Sequence, residues 1–306
     1  MKNFNKRVPG NFTHPTSLPK SSEESAEWQK LNKKWWEEHP MRYDWNQKLG
    51  YEEFSKEFFE EVDKRFFGNA KEFMPYKKIP FDPLINFDNL KDADVLEIGV
   101  GMGSHASLLA KYSGSFTGID LTEYAVSSTS KRFEVFNLPG KIIRMDAEKL
   151  QFDDNSFDFI WSWGVIHHSS NTNKVLAEIQ RVLKPGGEAV IMVYYRNFWN
   201  SYILAGFFRG VLMGEFFKGK SIHHIMQYYN DGATARIYTI PEWENTVKDL
   251  FEINYVKIKG MKSEILPLPA GGFKDKFQRI VPDSFSRFLT NNLRMGSFLI
   301  SSLKKL

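Results

Sequence analysis

The sequence predicts an α/β fold, a mostly parallel seven-stranded sheet with helices on both faces, on three observations. From Asp92 onward, short buried-strand patterns alternate with helical ones, and such alternation makes a parallel sheet between two helical layers. The first strand, Val95-Leu96-Glu97-Ile98, runs straight into Gly99-Val100-Gly101-Met102-Gly103, a strand-to-helix turn that lets a ligand touch main chain. The size agrees: 306 residues, 42% hydrophobic and 25% charged, are enough for one large core, or a core and a cap.

Taken in order, residues 1–25 are polar, carry Pro9, Pro15 and Pro19, and lack an apolar core of signal-peptide length, which predicts a loose leader. Residues 24–38 hold Trp28, Trp35 and Trp36, and residues 50–67 hold Phe54, Phe58, Phe59, Phe66 and Phe67; both spacings suit amphipathic helices with an aromatic face. The turn from His39 to Trp45 between them is polar and aromatic, so it either packs on the core or covers a ligand. Strands follow at 95–98, 115–119, 141–145, 157–161 and 188–194, with helices at 103–112, 122–136 and 170–183. A helix at 241–250 and strands at 252–259 and 295–301 close the pattern. The expected division is a leader at 1–25, an N-terminal helical lid at 26–90, a core at 91–195 and a cap insertion at 196–240. Core helix and strand at 241–259, a second cap insertion at 260–293 and a closing strand at 294–306 complete it. The stretch 198–217 is strongly apolar but contains Arg209, Glu215 and three glycines, which argues for a cap helix pair or a membrane-surface helix rather than a span.

The chemistry gathers at strand tips. Glu97 beside the glycines repels a pyrophosphate and suits a cationic or hydroxyl-bearing ligand; S-adenosylmethionine carries an ammonium and a sulfonium. Asp120 ends the second strand in Gly118-Ile119-Asp120-Leu121, where a carboxylate accepts both hydroxyls of a ribose or caps the next helix. At the third tip, Asp146-Ala147-Glu148 offers an acceptor to an adenine amino group beside a small residue. The fourth ends in Ser162-Trp163-Gly164-Val165-Ile166-His167-His168, whose histidines either hold local structure or reach the reaction zone as proton acceptors. Tyr194 and Arg196 end the fifth strand and Tyr43 lies in the N-terminal turn; the three are the expected acceptor contacts, Arg196 for a carboxylate or phosphate. His223, His224, Tyr228 and Tyr229 sit in the first insertion, where they either shape the acceptor pocket or pack its core.

In their order and spacing these motifs, with Asn155-Ser156-Phe157-Asp158 and Arg181-Val182-Leu183-Lys184-Pro185-Gly186-Gly187, resemble the class I S-adenosylmethionine-dependent methyltransferases, and within them the ubiquinone-biosynthesis-like group. The resemblance covers about residues 90–195. It implies a Rossmann-like fold with S-adenosylmethionine as cofactor. Glu97, Gly99, Gly101 and Gly103 would then line the methionine moiety, Asp120 and Leu121 the ribose, Asp146 and Ala147 the adenine, and Ser162 and Trp163 the inner wall. Lys184 to Gly187 would be scaffold, and a late antiparallel strand would lie at the sheet edge. Where the nucleic-acid amino methylases have an Asn/Asp-Pro-Pro-aromatic turn, this chain has Ser162-Trp163-Gly164-Val165, which argues against a nucleic-acid substrate.

Two other readings stand beside this one. Gly101-Met102-Gly103-Ser104-His105-Ala106 satisfies the dinucleotide pattern of an NAD(P)-dependent oxidoreductase, at the cost of leaving Gly99 inside the first strand. A non-catalytic cofactor-binding scaffold is the other. The chain has no cysteine, which excludes disulfides, thiolate metal sites and a cysteine nucleophile, and no compact ligand set indicates a metal. The net charge of +4 is too small to imply nucleic acid, but from residue 197 onward 15 Lys and Arg face 9 Asp and Glu, a tilt toward an anionic substrate or surface. The expectation is a cytoplasmic enzyme, with possible peripheral membrane contact, acting on a small-molecule, glycan or lipid acceptor.

Overall fold

The computed structural model describes residues 8–44, 48–266 and 271–306; Trp45 falls outside them, as does the start of the leader. Helices α1 (Ser22–Glu38) and α2 (Lys56–Phe73) precede β1 (Asp94–Ile98), α3 (Ser104–Tyr112), β2 (Ser115–Asp120), α4 (Glu123–Phe136) and β3 (Lys141–Arg144). Then come β4 (Phe157–Trp163), α5 (Thr172–Val182), β5 (Leu183–Tyr195), a π-helix Trp199–Leu212, α6 (Ile222–Tyr229) and β6 (Ile237–Tyr238). The chain finishes with α7 (Ile240–Val247), β7 (Phe251–Lys259), α8 (Gly272–Ile280), α9 (Asp283–Arg287), a π-turn Phe288–Asn292 and β8 (Phe298–Lys305).

The sheet runs β3-β2-β1-β4-β5-β8-β7, with β6 paired to β5 off that path. The strands β1 to β5 pair in parallel, and β8 is antiparallel to both β5 and β7. The late antiparallel strand is therefore not at the edge, as the resemblance implied, but inside the sheet, and β7 takes the edge. The chain order reverses between β1 and β4, and a ligand crevice opens at such a point beyond the carboxyl ends of the strands.

Alternation along β1 sends Leu96 and Ile98 into one core with Val175, Leu176, Ile179 and Trp243, and Val95 into the other with Leu109, Phe81 and Trp161. Glu97 shares the parity of Val95 and so points under α3. On the far side of the sheet from the crevice, Lys184 Nζ bridges Asp94 Oδ2 and Asp158 Oδ2 at 2.7 Å each, joining the starts of β1 and β4.

Local chemistry moved several expected boundaries. α2 starts at 56 rather than 50 because Phe54 has φ 66° and Ser55 caps the helix, accepting from Phe58 N. Strand β8 starts three residues later than expected, after a turn that holds Arg294 at φ 56° and brings Gly296 against Lys259, where an added Cβ would meet Lys259 O at 2.3 Å. The first insertion adds a strand, β6, to the sheet itself. Residues 9–17 do not behave as a loose leader: Phe12 is buried, Pro15 O accepts from Ile237 N, and Ser17 O accepts from Arg236 Nε. Arg236 is fully buried, also donates to Ser169 O and Ser170 O, and so pins the N-terminal segment to the core.

Candidate functional site

At the crevice lies a cavity of about 690 Å³ whose wall draws on the tips of β1, β2 and β4, the segment after β3, helix α1 and both insertions. The glycine turn forms its floor. Gly99 has φ 84°, and a Cβ there would lie 2.2 Å from Val165 Cγ2, so the β4 turn packs straight onto it. Gly101, at φ 53°, has nothing within 4 Å of an added Cβ, and this open main chain faces the cavity.

Asp120 binds the turn from β2: Oδ2 accepts from Gly101 N at 3.2 Å, while Oδ1 accepts from Thr122 N and Thr122 Oγ1 at 2.9 and 2.8 Å. The carboxylate both starts α4 and lines the cavity beside Leu121. Burial raises its pKa, and the Thr122 and Gly101 hydrogen bonds work against that rise. Asp146 and Ala147 line the next part of the wall, with both Asp146 oxygens taken by Gln29 Nε2 of α1 at 2.9 Å. Trp163 completes the inner wall, stacked on Trp161 with centroids 5.5 Å apart.

Glu97, Gly103 and Ser162, expected at the cofactor, are not among the lining residues. Gly103 caps α3, and Ser162 Oγ donates to Ile98 O at 3.3 Å, tying β4 to β1. Glu97 is 1% exposed, with Oε1 3.9 Å from His105 Nδ1 and no hydrogen bond to Oε2. Burial, then the Asp120 charge, raises its carboxyl well above the usual range, and it backs the loop from outside the cavity wall.

The two histidines separate. His167 is fully buried outside the cavity wall, with neither ring nitrogen hydrogen-bonded and its pKa driven well below 6.5 by burial. His168 lines the cavity between Trp36 and Tyr194, with ring centroids at 4.9 and 5.6 Å. Its Nδ1 donates to Thr234 O at 2.8 Å, which leaves the lone pair of the neutral ring on Nε2.

Arg196, expected to meet an acidic acceptor, pairs instead with Glu242 of the α7 capping box and lies outside the cavity wall. Tyr43 and Tyr194 do line it, joined by Asp231 and Glu264. Burial, then Asp231, Glu264 and Tyr43, raises the Tyr194 phenol, so these groups face one another. From the first insertion, Tyr229 also lines the cavity with the Arg209 guanidinium 3.7 Å from its ring centroid, whereas His223 Nε2 donates to Phe12 O, a packing role.

Sequence reading missed Gln29, Asn32 and Trp36 of α1, His105, Asp231 and Glu264, all on the wall. His105 stands two residues after Gly103 and was within reach of motif reading. It sits among Phe66, Phe81 and Trp161, where burial lowers its pKa to about 3. Asn32 is 4% exposed with Oδ1 unbonded.

Burial lifts the Glu264 carboxyl from 4.5 to about 7, against hydrogen bonds from Met261 N and Ser297. The folded protein thus keeps a proton that the unfolded chain releases, so Glu264's contribution to stability is full below pH 4.5 and is lost as pH rises through 7. That loss is about 3 kcal/mol. Glu264→Gln is expected to remove this part of the pH dependence, gaining about 2–3 kcal/mol on wild type between pH 5 and pH 8 in urea unfolding. Parallel pH profiles would contradict it.

The methyltransferase-domain family matches residues 96–191. Over those residues the chain is similar to that domain, on a class I methyltransferase fold. A phthiotriol/phenolphthiotriol dimycocerosates methyltransferase of Mycobacterium tuberculosis is 39% identical over 102 residues, 32% of this chain and 37% of that protein. A sterol 24-C-methyltransferase of Gibberella zeae is 36% identical over 96 residues, 30% of this chain and 25% of that protein. The chain thus spans between a quarter and little more than a third of the length of these curated relatives, and they do not single out the ubiquinone-biosynthesis-like subgroup. A methyltransferase structure from Methanosarcina mazei shares the fold at TM-score 0.50 and 20% identity, over 73% of this chain and 97% of that one. The cyclase SpnF shares it at TM-score 0.50 and 15% identity, over 95% and 98%.

The family and fold imply S-adenosylmethionine as cofactor, and the residues fit it: open main chain at Gly101 lies next to the Asp120 carboxylate, inside a cavity of sufficient size. The dinucleotide register needs β1 to run on to Val100, but β1 ends at Ile98. Gly99 turns out of the strand.

Proposed function

We propose that this protein is an S-adenosylmethionine-dependent methyltransferase whose acceptor has an apolar body and an uncharged or cationic polar group. The observation that carries the reading is that one cavity joins the glycine turn and Asp120 to a cap rich in aromatic and aliphatic side chains. When bound, S-adenosylmethionine supplies a sulfonium methyl already activated for transfer.

What remains for the chain is alignment and exclusion of water. Gly99 to Gly101 and Asp120 would hold the nucleoside, and Asp146 the adenine, whose amino group would share the carboxylate with Gln29. Trp163 and His105, neutral at physiological pH, would wall the reaction zone. Where the acceptor atom is a hydroxyl oxygen, His168 Nε2 takes its proton while Thr234 O steadies the ring.

Support for the acceptor class is electrostatic. Asp231 and Glu264 with the Tyr43 and Tyr194 phenols disfavour a carboxylate or phosphate at this end and favour a hydrogen-bond donor. The lipid- and sterol-named relatives match only the domain, so they favour an apolar acceptor without defining one. An acceptor of that kind resides in lipid, which makes the reading one of a peripheral enzyme. Incubating the protein with methyl-labelled S-adenosylmethionine and a total lipid extract should place label in an organic-soluble product. Since SpnF shows that this fold also serves a cyclase, cofactor binding with no label in lipid or aqueous metabolite fractions would return the protein to a scaffold.

A further inference from the structure

We infer that the two insertions form one docking face beside the cavity and that its occupant is the surface of an anionic lipid bilayer. The inference rests on the reading of a lipid-resident acceptor for its purpose, but its observations stand on the surface alone.

The π-helix Trp199–Leu212 is amphipathic in an inverted sense. It turns Ser201, Ala205, Gly206 and Gly210 inward, where an added Cβ would meet Phe216 at 2.3 Å from Gly210 and Ile222 at 3.3 Å from Gly206. Small residues thus let α6 pack closely, and the large apolar chains are left outside. Phe198 is 69% exposed, Leu212 62% and Phe217 86%, a concentration that water-facing surfaces avoid. In the second insertion Ile280 is 69% exposed and Phe285, Phe288 and Leu293 just over half.

The insertions are joined by Trp199 Nε1, which donates to Glu264 O at 2.9 Å, and Asn197 Nδ2 ties the first of them to the closing segment at Gly296 O, 2.8 Å away. Leu204 and Arg209 line the cavity from the same π-helix that turns Leu212 outward, with Phe198 and Phe217 just before and after it. No helix among the described residues is long and apolar enough to cross a membrane, which makes the contact one of insertion into an interface.

Charge selects the occupant. Residues 274–294 carry Lys274, Lys276, Arg279, Arg287 and Arg294 against Asp275 and Asp283, and Lys262 already pairs with Asp283. Cations beside exposed aromatic and aliphatic chains match an anionic lipid surface, where each basic residue adds to binding and salt weakens it.

The full chain, with no acceptor added, is floated with vesicles of phosphatidylcholine and phosphatidylglycerol in equal parts, and S-adenosylhomocysteine binding is measured on the same preparation. Wild type should float at low salt and less at high salt. The triple variant F198S/L212S/F217S should partition about tenfold less or worse while still binding S-adenosylhomocysteine. R279E/R294E, at exposed sites outside the cavity wall, should weaken flotation on these vesicles and leave that on pure phosphatidylcholine unchanged; it decides the matter if the triple variant fails to fold. The inference is overturned if wild type stays soluble at low salt, if the folded variants float like wild type, or if the exposed chains prove buried in a dimer that does not float. Flotation without S-adenosylhomocysteine binding would sink the methyl-transfer reading and leave the docking face standing.

Discussion

Asp120→Ala is expected to lower the affinity for S-adenosylhomocysteine by about 10- to 100-fold, the cost of the one charge-assisted hydrogen bond that the remaining lone pair of Oδ2 would accept from a ribose hydroxyl. The same change releases Gly101 N and takes Thr122 N and Oγ1 away from their acceptor, so the turn itself loosens. Because α4 keeps its Thr122 cap on Ala125 N, the protein should still fold, with a stability loss of about 1–2 kcal/mol. Calorimetric titration of the variant, alongside its urea midpoint, separates the two effects. Affinity within a few-fold of wild type would mean that Asp120 only starts the helix.

The second large effect concerns the adjacent histidines, which the sequence offers as equals and the structure does not. His168→Ala should cut turnover by about 100-fold or more for a hydroxyl acceptor, with S-adenosylhomocysteine affinity little changed. His167→Ala removes a ring that lies outside the wall of the site cavity, and should cost about 1–3 kcal/mol of stability while each folded molecule turns over near the wild-type rate. Rates of S-adenosylhomocysteine formation with the labelled lipid fraction, normalised to folded protein, test the pair. Equal losses in both, or none in either, would leave alignment without a general base as the mechanism.

Much of the core was legible because its signals are local. A glycine turn, an acid at the next strand tip and the Pro-Gly-Gly turn each stand in a few consecutive residues, and their order gives the sheet. The family resemblance puts Glu97 at the methionine moiety, whereas strand parity, which the sequence also contains, sends it under α3 beside Val95. Gln29, Asn32 and Glu264 were illegible for a different reason. They reach the wall only through long-range packing of α1 and the second insertion, and nothing near them in the chain marks that destination. Arg196 misled because a capping box four residues long, Thr239 to Glu242, supplies its partner from far along the sequence. The π-helix showed its apolar character at once, but which face is turned outward depends on Gly206 and Gly210 meeting α6 and Phe216.

The account depends on the tips of β1, β2 and β3 forming one site for an adenosyl sulfonium nucleoside, and a binding isotherm of wild-type protein addresses that most directly. Titration with S-adenosylhomocysteine should give one site per chain with micromolar or tighter affinity, and NADH should give no heat. Heat from NADH with none from S-adenosylhomocysteine would contradict it.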